Sequence, residues 1–390
     1  MPSISSWFQS LKSKFQSPAS RLHQLASLYD LRFQEGELNL KEAERLAALG
    51  VYGKNPWRFW EKETSQEDAW KELDYSVERT ILRDGPGLLE VYLKTGYPVN
   101  RVLAHNLLKS NLLLTTARRG SAACLKVLLN HGADVMALNG DDNDILTLLL
   151  ELRNNNERPP MDKMVSMVND LLEKGFPIEG APGVKMTPLI SSIALVSVPL
   201  VQLLLEKGAS IAPREDMEEG SPLHAWAEYC SGYHKNNSSE DNREVLWDLL
   251  VEYGADPEYQ NPQQQDATAF MWIAPHDGDL AYLMYKKGVN LQHVTAEGNT
   301  ILHILALNYN YQDELCQHVV EHYPHMFASK NKAGLTPLEA VKMALAERGE
   351  YLGQEYQDRL LEWEVAGERG FLNDQTVSVA LSPPTPSRRL

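Results

Sequence analysis

The chain has 390 residues, of which 43% are hydrophobic, and it carries 37 basic against 53 acidic side chains for a net charge of −16. This charge argues against a nucleic-acid-binding protein, because phosphate contacts require concentrated Lys and Arg. The sequence has no apolar run of about 18 residues, so no membrane span is predicted. Gln9 and Ser10 interrupt the first apolar patch, which argues against a signal-peptide core. We expect a cytoplasmic protein, with secretion without a cleavable signal peptide as the alternative.

Residues 1–24 form a basic amphipathic segment. They contain three Lys or Arg residues and no acidic residue, and Trp7, Leu11 and Phe15 recur at helical spacing. Such a helix could contact an anionic membrane surface weakly, or dock on a partner. We favour the third possibility, that it packs onto the rest of the chain.

Residues 25–73 predict an N-terminal helical cap. Residues 40–49 have a helical pattern that Gly50 closes, and an aromatic cluster follows between Trp57 and Trp60. A terminal repeat must cover its outer apolar face, which this region could do. The alternative is a separate docking patch.

Residues 74–349 repeat a two-helix pattern. In the clearest copy, Val201, Leu204 and Leu205 share one helix face, and Gly208 follows where a left-handed residue can end the helix. Neither helix can bury its face alone, so neighbouring copies must stack. The terminating glycines stand 36, 43, 33, 46 and 34 residues apart, at Gly96, Gly132, Gly175, Gly208, Gly254 and Gly288.

The openings of the first helices keep the same rhythm. They read Asn143–Leu146, Thr187–Ile190, Ser221–His224, Thr268–Met271, Thr300–His303 and Thr336–Glu339. This pattern, with a period of about 33 residues, resembles divergent, bacterial-type members of the ankyrin repeat family, whose opening is Thr-Pro-Leu-His. Only three openings keep the proline, and the extra residues near 153–160 and 231–242 predict loops. The resemblance implies an all-α, ankyrin-type solenoid of about seven helix-turn-helix repeats with N- and C-terminal helical caps.

The C-terminal end predicts two further segments. Residues 350–372 have the pattern of a cap helix, with Leu360, Leu361 and Trp363 as its apolar residues. Residues 373–390 are rich in Ser, Thr and Pro without apolar periodicity, which is typical of a disordered tail.

The resemblance also implies where a partner protein would bind. In ankyrin repeats the turns between repeats, called fingers, line a concave face together with the first helices. Partners bind to this face, at the finger tips and at the exposed ends of the first helices. The finger residues are Asp141, Asp142, Glu215, Asp216, Glu218 and Glu219, and the helix-end residues are Arg118, Arg119, Glu228, Tyr229, Trp272 and His276. The two acidic fingers favour a partner with a basic surface. Alternatively, the acidic residues are solvated loop residues, and Trp226 and Trp272 pack in the core. We favour the core position for Trp226.

Three features of the sequence bear on catalysis or metal binding. His318-Val-Val-Glu321-His322 matches the inverted zinc-protease pattern, but it falls on a predicted second helix without an evident third ligand. Residues 141–144 resemble part of a calcium loop without its glycine and final glutamate. The three cysteines, Cys124, Cys230 and Cys316, are odd in number and predict reduced thiols. We therefore expect no enzyme activity, no metal and no cofactor.

Two classes of function follow. The first is a non-catalytic binding module that acts as an inhibitor, an immunity protein or an adaptor. The second is an exported bacterial effector that acts on host or competitor proteins, with a terminal region, 1–73 or 350–390, as the place of any catalysis. The sequence does not predict the oligomeric state.

Overall fold

The computed structural model describes residues 74, 77–94, 97–103, 109–150, 159–182, 186–214, 220–231, 240–307, 313–348, 361–362, 365 and 368–369. The predicted segments 1–24, 25–73 and 373–390 lie outside these residues, as do most of the two predicted insertions. Of the predicted cap helix, only residues 361–362, 365 and 368–369 are described, and all five are helical.

The described residues form an all-α structure, as predicted. The α-helices are α1 (Pro86–Lys94), α2 (Leu112–Arg119), α3 (Ala122–Asn130), α4 (Ile145–Leu150), α5 (Met161–Glu173), α6 (Pro188–Ala194), α7 (Val198–Glu206), α8 (Pro222–Cys230), α9 (Glu240–Glu252), α10 (Ala269–Ile273), α11 (Gly278–Lys286), α12 (Ile301–Leu307), α13 (Asp313–His322) and α14 (Pro337–Arg348). Short 3-10 helices span Pro262–Gln264 and Pro324–Phe327. The extended pairing in this part of the chain is limited to two isolated bridges, Val102 with Asn111 and Asn261 with Ala267.

The chain divides into two compact units. Unit 1 comprises Met1–Ser191 with Gln202–Ala209, and unit 2 comprises Ser192–Val201 with Ser210–Leu390. In unit 1, α2 packs on α4, and α1, α3 and α5 pack in that order. In unit 2, α8 packs on α10, α11 on α13 and α12 on α14. Within each unit, first helices therefore pack on first helices and second helices on second helices.

Polar side chains at the predicted openings begin the first helices. Thr187 and Thr268 each accept a hydrogen bond from the backbone N–H three residues later, both at 3.3 Å. Asp144 does the same for α4 at 2.6 Å. Each such cap is worth about 1 kcal/mol. One opening was not predicted from the sequence: Asn111 caps α2 by accepting from the N–H of Leu114 at 2.9 Å.

The predicted terminating glycines end the second helices in the left-handed conformation. Their φ angles are 79°, 90°, 93°, 97° and 89° at Gly132, Gly175, Gly208, Gly254 and Gly288. A Cβ atom at these positions would meet nothing within 4 Å, so the backbone conformation alone requires glycine. Gly96 lies outside the described residues.

The interior of each unit is built from the facing sides of these helices. In unit 1, Leu125 and Leu128 of α3 are fully buried, and each such side chain contributes about 1.5–3 kcal/mol by leaving water. In unit 2, Trp226 is fully buried against Trp247, and its Nε1 donates to the carbonyl of Arg243 at 2.9 Å. Trp226 therefore lies in the core, as we predicted from the sequence.

Candidate protein-binding surface

The fingers that follow one another in unit 2 are joined through their main chains. These fingers are residues 261–268, 295–300 and 331–336. The N–H of Ala296 donates to the carbonyl of Gln265 at 2.6 Å, and the N–H of Lys332 donates to the carbonyl of Glu297 at 2.8 Å. A Cβ atom at Gly298 would lie 3.2 Å from the nitrogen of Lys332. The fingers therefore approach one another at main-chain distance.

Asparagine side chains fix the shape of individual fingers. Asn139, at the start of the unit 1 finger 139–144, accepts from the backbone N–H groups two and four residues later, both at 2.9 Å. Asn331 makes the equivalent pair of bonds, both at 3.1 Å. Asn261 accepts from the N–H of Gln263 at 3.0 Å. These bonds organise each loop from within, so its tip is held in one shape before any partner binds.

The finger tips present polar side chains to solvent. The exposed residues at these tips are Asp141, Asp142, Gln263, Gln265, Glu297 and Lys332. Three of them are acidic, and their main chains are bonded as described above. The tips therefore combine a fixed backbone with solvent-accessible hydrogen-bonding groups.

The predicted finger residues have different positions in the structure. Asp141 and Asp142 are exposed at their tip, as expected. Asp144 of the same acidic run is buried, and its Oδ2 accepts from the N–H of Ala181 at 3.0 Å. It is thus a structural residue and is not available to a cation. Glu215, Asp216, Glu218 and Glu219 lie outside the described residues.

The predicted helix-end residues divide between the two units. In unit 1, Arg118 and Arg119 are exposed in the last turn of α2. In unit 2, the half-buried ring of Trp272 lies with its centroid 5.8 Å from that of the exposed His276. The remaining two, Glu228 and Tyr229, are half-buried in the last turn of α8.

Two buried histidines join successive repeats in unit 2. Nε2 of His224 donates to the carbonyl of Ala267 at 2.9 Å, and Nε2 of His303 donates to that of Leu335 at 3.0 Å. In each case Nδ1 lies against the hydroxyl of the capping residue three positions earlier, at 2.8 Å and 2.9 Å. Burial lowers the pKa of both imidazoles. These bonds make both histidines structural links between repeats, and burial favours their neutral form.

The residues of the zinc-protease pattern lie on the second helix α13. His318 is half-buried against Tyr285, whereas Glu321 and His322 are exposed. Burial, followed by the neighbouring His322, lowers the pKa of His318. The described residues contain no group of three or more His, Cys, Asp or Glu that could hold a metal ion.

The described cysteines and helices offer no other site. Cys124 and Cys230 are buried and form no disulfide, and burial raises the pKa of Cys230 to about 12. A thiol with so high a pKa is a poor nucleophile. None of the described helices combines the length and the apolar character that a membrane span requires.

Gln263 and the recurring asparagines were not among the predicted site residues. Asn139 and Asn331 each stand five residues before the residue that caps the next helix. This recurrence was a usable signal for the finger starts. The pairing of Tyr285 with His318 had no such signal, because 33 residues separate the two.

Comparison with known proteins gave structural neighbours only. No protein-family model matches the chain, and no curated protein matches it. Among solved structures, it is similar to the ankyrin repeat domain of human ASB11, at 20% identity and a TM-score of 0.47, over 61% of this chain and 93% of that one. It is also similar to the ankyrin repeat domain of Bcl-3, described as a unique member of the IkappaB protein family, at 19% identity and a TM-score of 0.42, over 58% and 92% of the two chains.

The internal geometry of the chain identifies its fold. Ser221 and Thr300 open their helices with the histidine three residues later, and each of these histidines bonds to the next finger. Second helices end at left-handed glycines, and like helices pack together within each unit. The described part of the chain is therefore built from ankyrin-type repeats.

Proposed function

We propose that this protein is a non-catalytic module that binds another protein through its fingers and the exposed ends of its first helices. The observation that carries the proposal is the pair of main-chain hydrogen bonds, at 2.6 Å and 2.8 Å, that link the three unit 2 fingers. These bonds order the fingers in advance, so that binding costs little additional conformational entropy. The side chains at the tips are left for recognition.

A partner with a basic surface fits the charge of the protein. The net charge is −16, and Asp141, Asp142 and Glu297 are exposed at finger tips. Opposite charge accelerates encounter and selects against other acidic proteins. We include a further finger in this proposal because its sequence is also acidic, with Glu215, Asp216, Glu218 and Glu219.

The test begins with site-specific photo-crosslinking in native lysate. A photoreactive residue in place of Glu297 should capture a protein, and the same residue in place of the exposed Glu252 at the end of α9 should not. The captured protein is then purified and its affinity measured. We expect Glu297→Lys to weaken binding by about 1 kcal/mol or more, with an unchanged melting temperature, and Glu252→Lys to leave the affinity unchanged.

Two results would exclude the finger surface. One is equal capture at positions 297 and 252. The other is an affinity that neither Glu297→Lys nor charge reversal of the four acids in the 215–219 finger alters. The finer role follows from the captured partner: a toxin or enzyme favours an inhibitor or immunity protein, an exported protein favours an adaptor, and a host or competitor protein favours an effector.

A further inference from the structure

Two histidines one helical turn apart lie near the end of α13, away from the fingers. The ring centroids of His318 and His322 are 3.9 Å apart, and the ring planes are inclined by 18°. Their i, i+4 spacing places both side chains on one face of the helix. His318 is half-buried and His322 is exposed. The two rings therefore lie side by side, and solvent reaches both of them.

A backbone hydrogen bond sets the tautomer of His322. Its Nδ1 lies 3.1 Å from the carbonyl oxygen of His318. Because a carbonyl oxygen only accepts, Nδ1 carries the proton and Nε2 of the neutral ring carries the free lone pair. No described residue forms a hydrogen bond with this Nε2. A histidine that donates its other N–H to a carbonyl is the usual arrangement of a metal ligand.

Tyr285 of α11 determines whether Nε2 of His318 is available to a metal ion. Its hydroxyl is in contact with Nε2 of His318, and the centroids of the two rings are 4.3 Å apart. The phenol can donate to the same lone pair that a metal ion would take. Tyr285 therefore competes with a cation at this position, and its hydrogen bond must be displaced for both imidazoles to bind.

The spacing and chemistry select one class of ion. Imidazole nitrogen suits Zn²⁺, Cu²⁺ and Ni²⁺, whereas Mg²⁺ and Ca²⁺ prefer oxygen ligands. Metal–nitrogen bonds of about 2.0–2.1 Å place two nitrogens of a tetrahedral centre about 3.3–3.4 Å apart. The ring centroids are 3.9 Å apart, but the rings are nearly parallel, so their in-plane lone pairs do not converge. The rings must therefore turn relative to one another before both nitrogens can bind one ion. Since the described residues offer no group of three possible ligands, water completes the coordination.

We propose that His318 and His322 form a two-nitrogen binding site for a late first-row divalent cation, Zn²⁺, Cu²⁺ or Ni²⁺. The remaining positions of the ion face solvent. This site requires no catalysis and is independent of the finger surface, so either proposal can fail without the other.

The test is calorimetric titration of the full chain, without a polyhistidine tag, with Zn²⁺ and with Ni²⁺. We expect binding of one equivalent, reversed by a chelator. Because a change in the outer shell alone costs about 10- to 100-fold in metal affinity, loss of a ligand in His322→Gln should cost at least as much. Tyr285→Phe should tighten binding by removing the competing hydroxyl. His131→Gln, which alters a half-buried histidine of unit 1, should leave the metal affinity unchanged.

A spectroscopic measurement identifies the ligands. Electron paramagnetic resonance of the Cu²⁺-loaded protein should show two equatorial imidazole nitrogens, and His322→Gln should leave at most one. The chain contains 11 histidines, so binding that survives His322→Gln with undiminished affinity would place the ion elsewhere and overturn the proposal. Absence of stoichiometric binding, or weaker binding in Tyr285→Phe, would also overturn it.

Discussion

Arg243 of α9 and Asp277, at the start of α11, form a buried ion pair in which Nη1 and Oδ2 are 3.0 Å apart. Nη1 of the same guanidinium also donates to the carbonyl of Cys230 at 3.2 Å, and the other carboxylate oxygen of Asp277 caps α11 by accepting from the N–H of Leu280 at 3.2 Å. One pair of side chains thus connects α8, α9 and α11 of unit 2.

Removal of the carboxylate should destabilise unit 2 strongly. Asp277→Ala leaves the buried guanidinium without its counter-ion and α11 without its cap, and breaking a buried pair in this way costs about 3–5 kcal/mol. Asp279→Ala, two residues further on at an exposed position, is the matched control and should cost little. Urea denaturation measures both. Equal losses in the two variants would show that the ion pair contributes no more than a surface carboxylate.

Val196 occupies a backbone conformation that suits glycine. Its φ is 51° in the turn between α6 and α7, where a β-branched residue is strained. We expect Val196→Gly to raise the free energy of unfolding by about 1 kcal/mol, because relief of this strain exceeds the added entropy of the unfolded chain. Val196→Ala keeps the Cβ atom and should gain less. If both variants have the same unfolding midpoint, strain at this turn is not the cause.

Substitutions at Gly220 and Gly254 allow the cost of backbone strain to be measured separately from the cost of a steric clash. Both have positive φ, 70° and 97°, but only at Gly220 would a Cβ atom meet a neighbour, the Asn261 side chain at 2.5 Å. That side chain already caps the turn at Pro262–Gln264 and cannot move without losing its bond. Gly254→Ala should cost about 1–2 kcal/mol from backbone strain alone, and Gly220→Ala should cost clearly more. Thermal unfolding of the two variants provides the comparison, and a smaller loss at Gly220 would contradict it.

The buried histidines make the repeats sensitive to acid. Burial lowers the pKa of His224 and His303 below the value of about 6.5 that holds in the unfolded chain. The unfolded chain therefore binds more protons below pH 6.5, so the stability that these residues contribute is present above this pH and decreases as the pH falls toward their folded-state pKa values. The melting temperature should therefore fall as the pH is lowered from about 7.5 to about 5.

A double variant identifies the origin of this pH dependence. In His224→Gln/His303→Gln, the amide can still donate to the carbonyls of Ala267 and Leu335 but does not titrate. We expect this variant to be less stable than the wild type at neutral pH and to lose less stability on acidification. An unchanged pH dependence would assign the acid sensitivity to other groups.

Local patterns account for the features that the sequence predicted correctly. Thr187, Thr268 and Gly208 act within a few residues of their own position, so caps and helix ends could be inferred from spacing alone. The opening at Asn111 was missed because Asn-Leu-Leu-Leu contains neither the proline nor the histidine of the other copies.

Long-range contacts account for what the sequence could not predict. Asp144 looks like one more acid in a surface run, yet its hydrogen bond to Ala181, 37 residues away, makes it a buried residue. The contact of His318 with Tyr285 likewise depends on the packing of α13 on α11. Burial and partner choice at such positions are decided by tertiary structure, which a single sequence does not display.

Two bonds between the unit 2 fingers join backbone atoms of Gln265, Ala296, Glu297 and Lys332. A third joins side chains, because Nδ2 of Asn331 donates to Oδ1 of Asn299 at 2.9 Å. Mutation at a tip can therefore replace a side chain without removing the bond that holds its loop. At the exposed positions 265, 297 and 332, specificity and architecture are encoded by separate atoms. These side chains can therefore diverge, under selection or in a designed library, while the asparagines and the backbone bonds keep the loops in place.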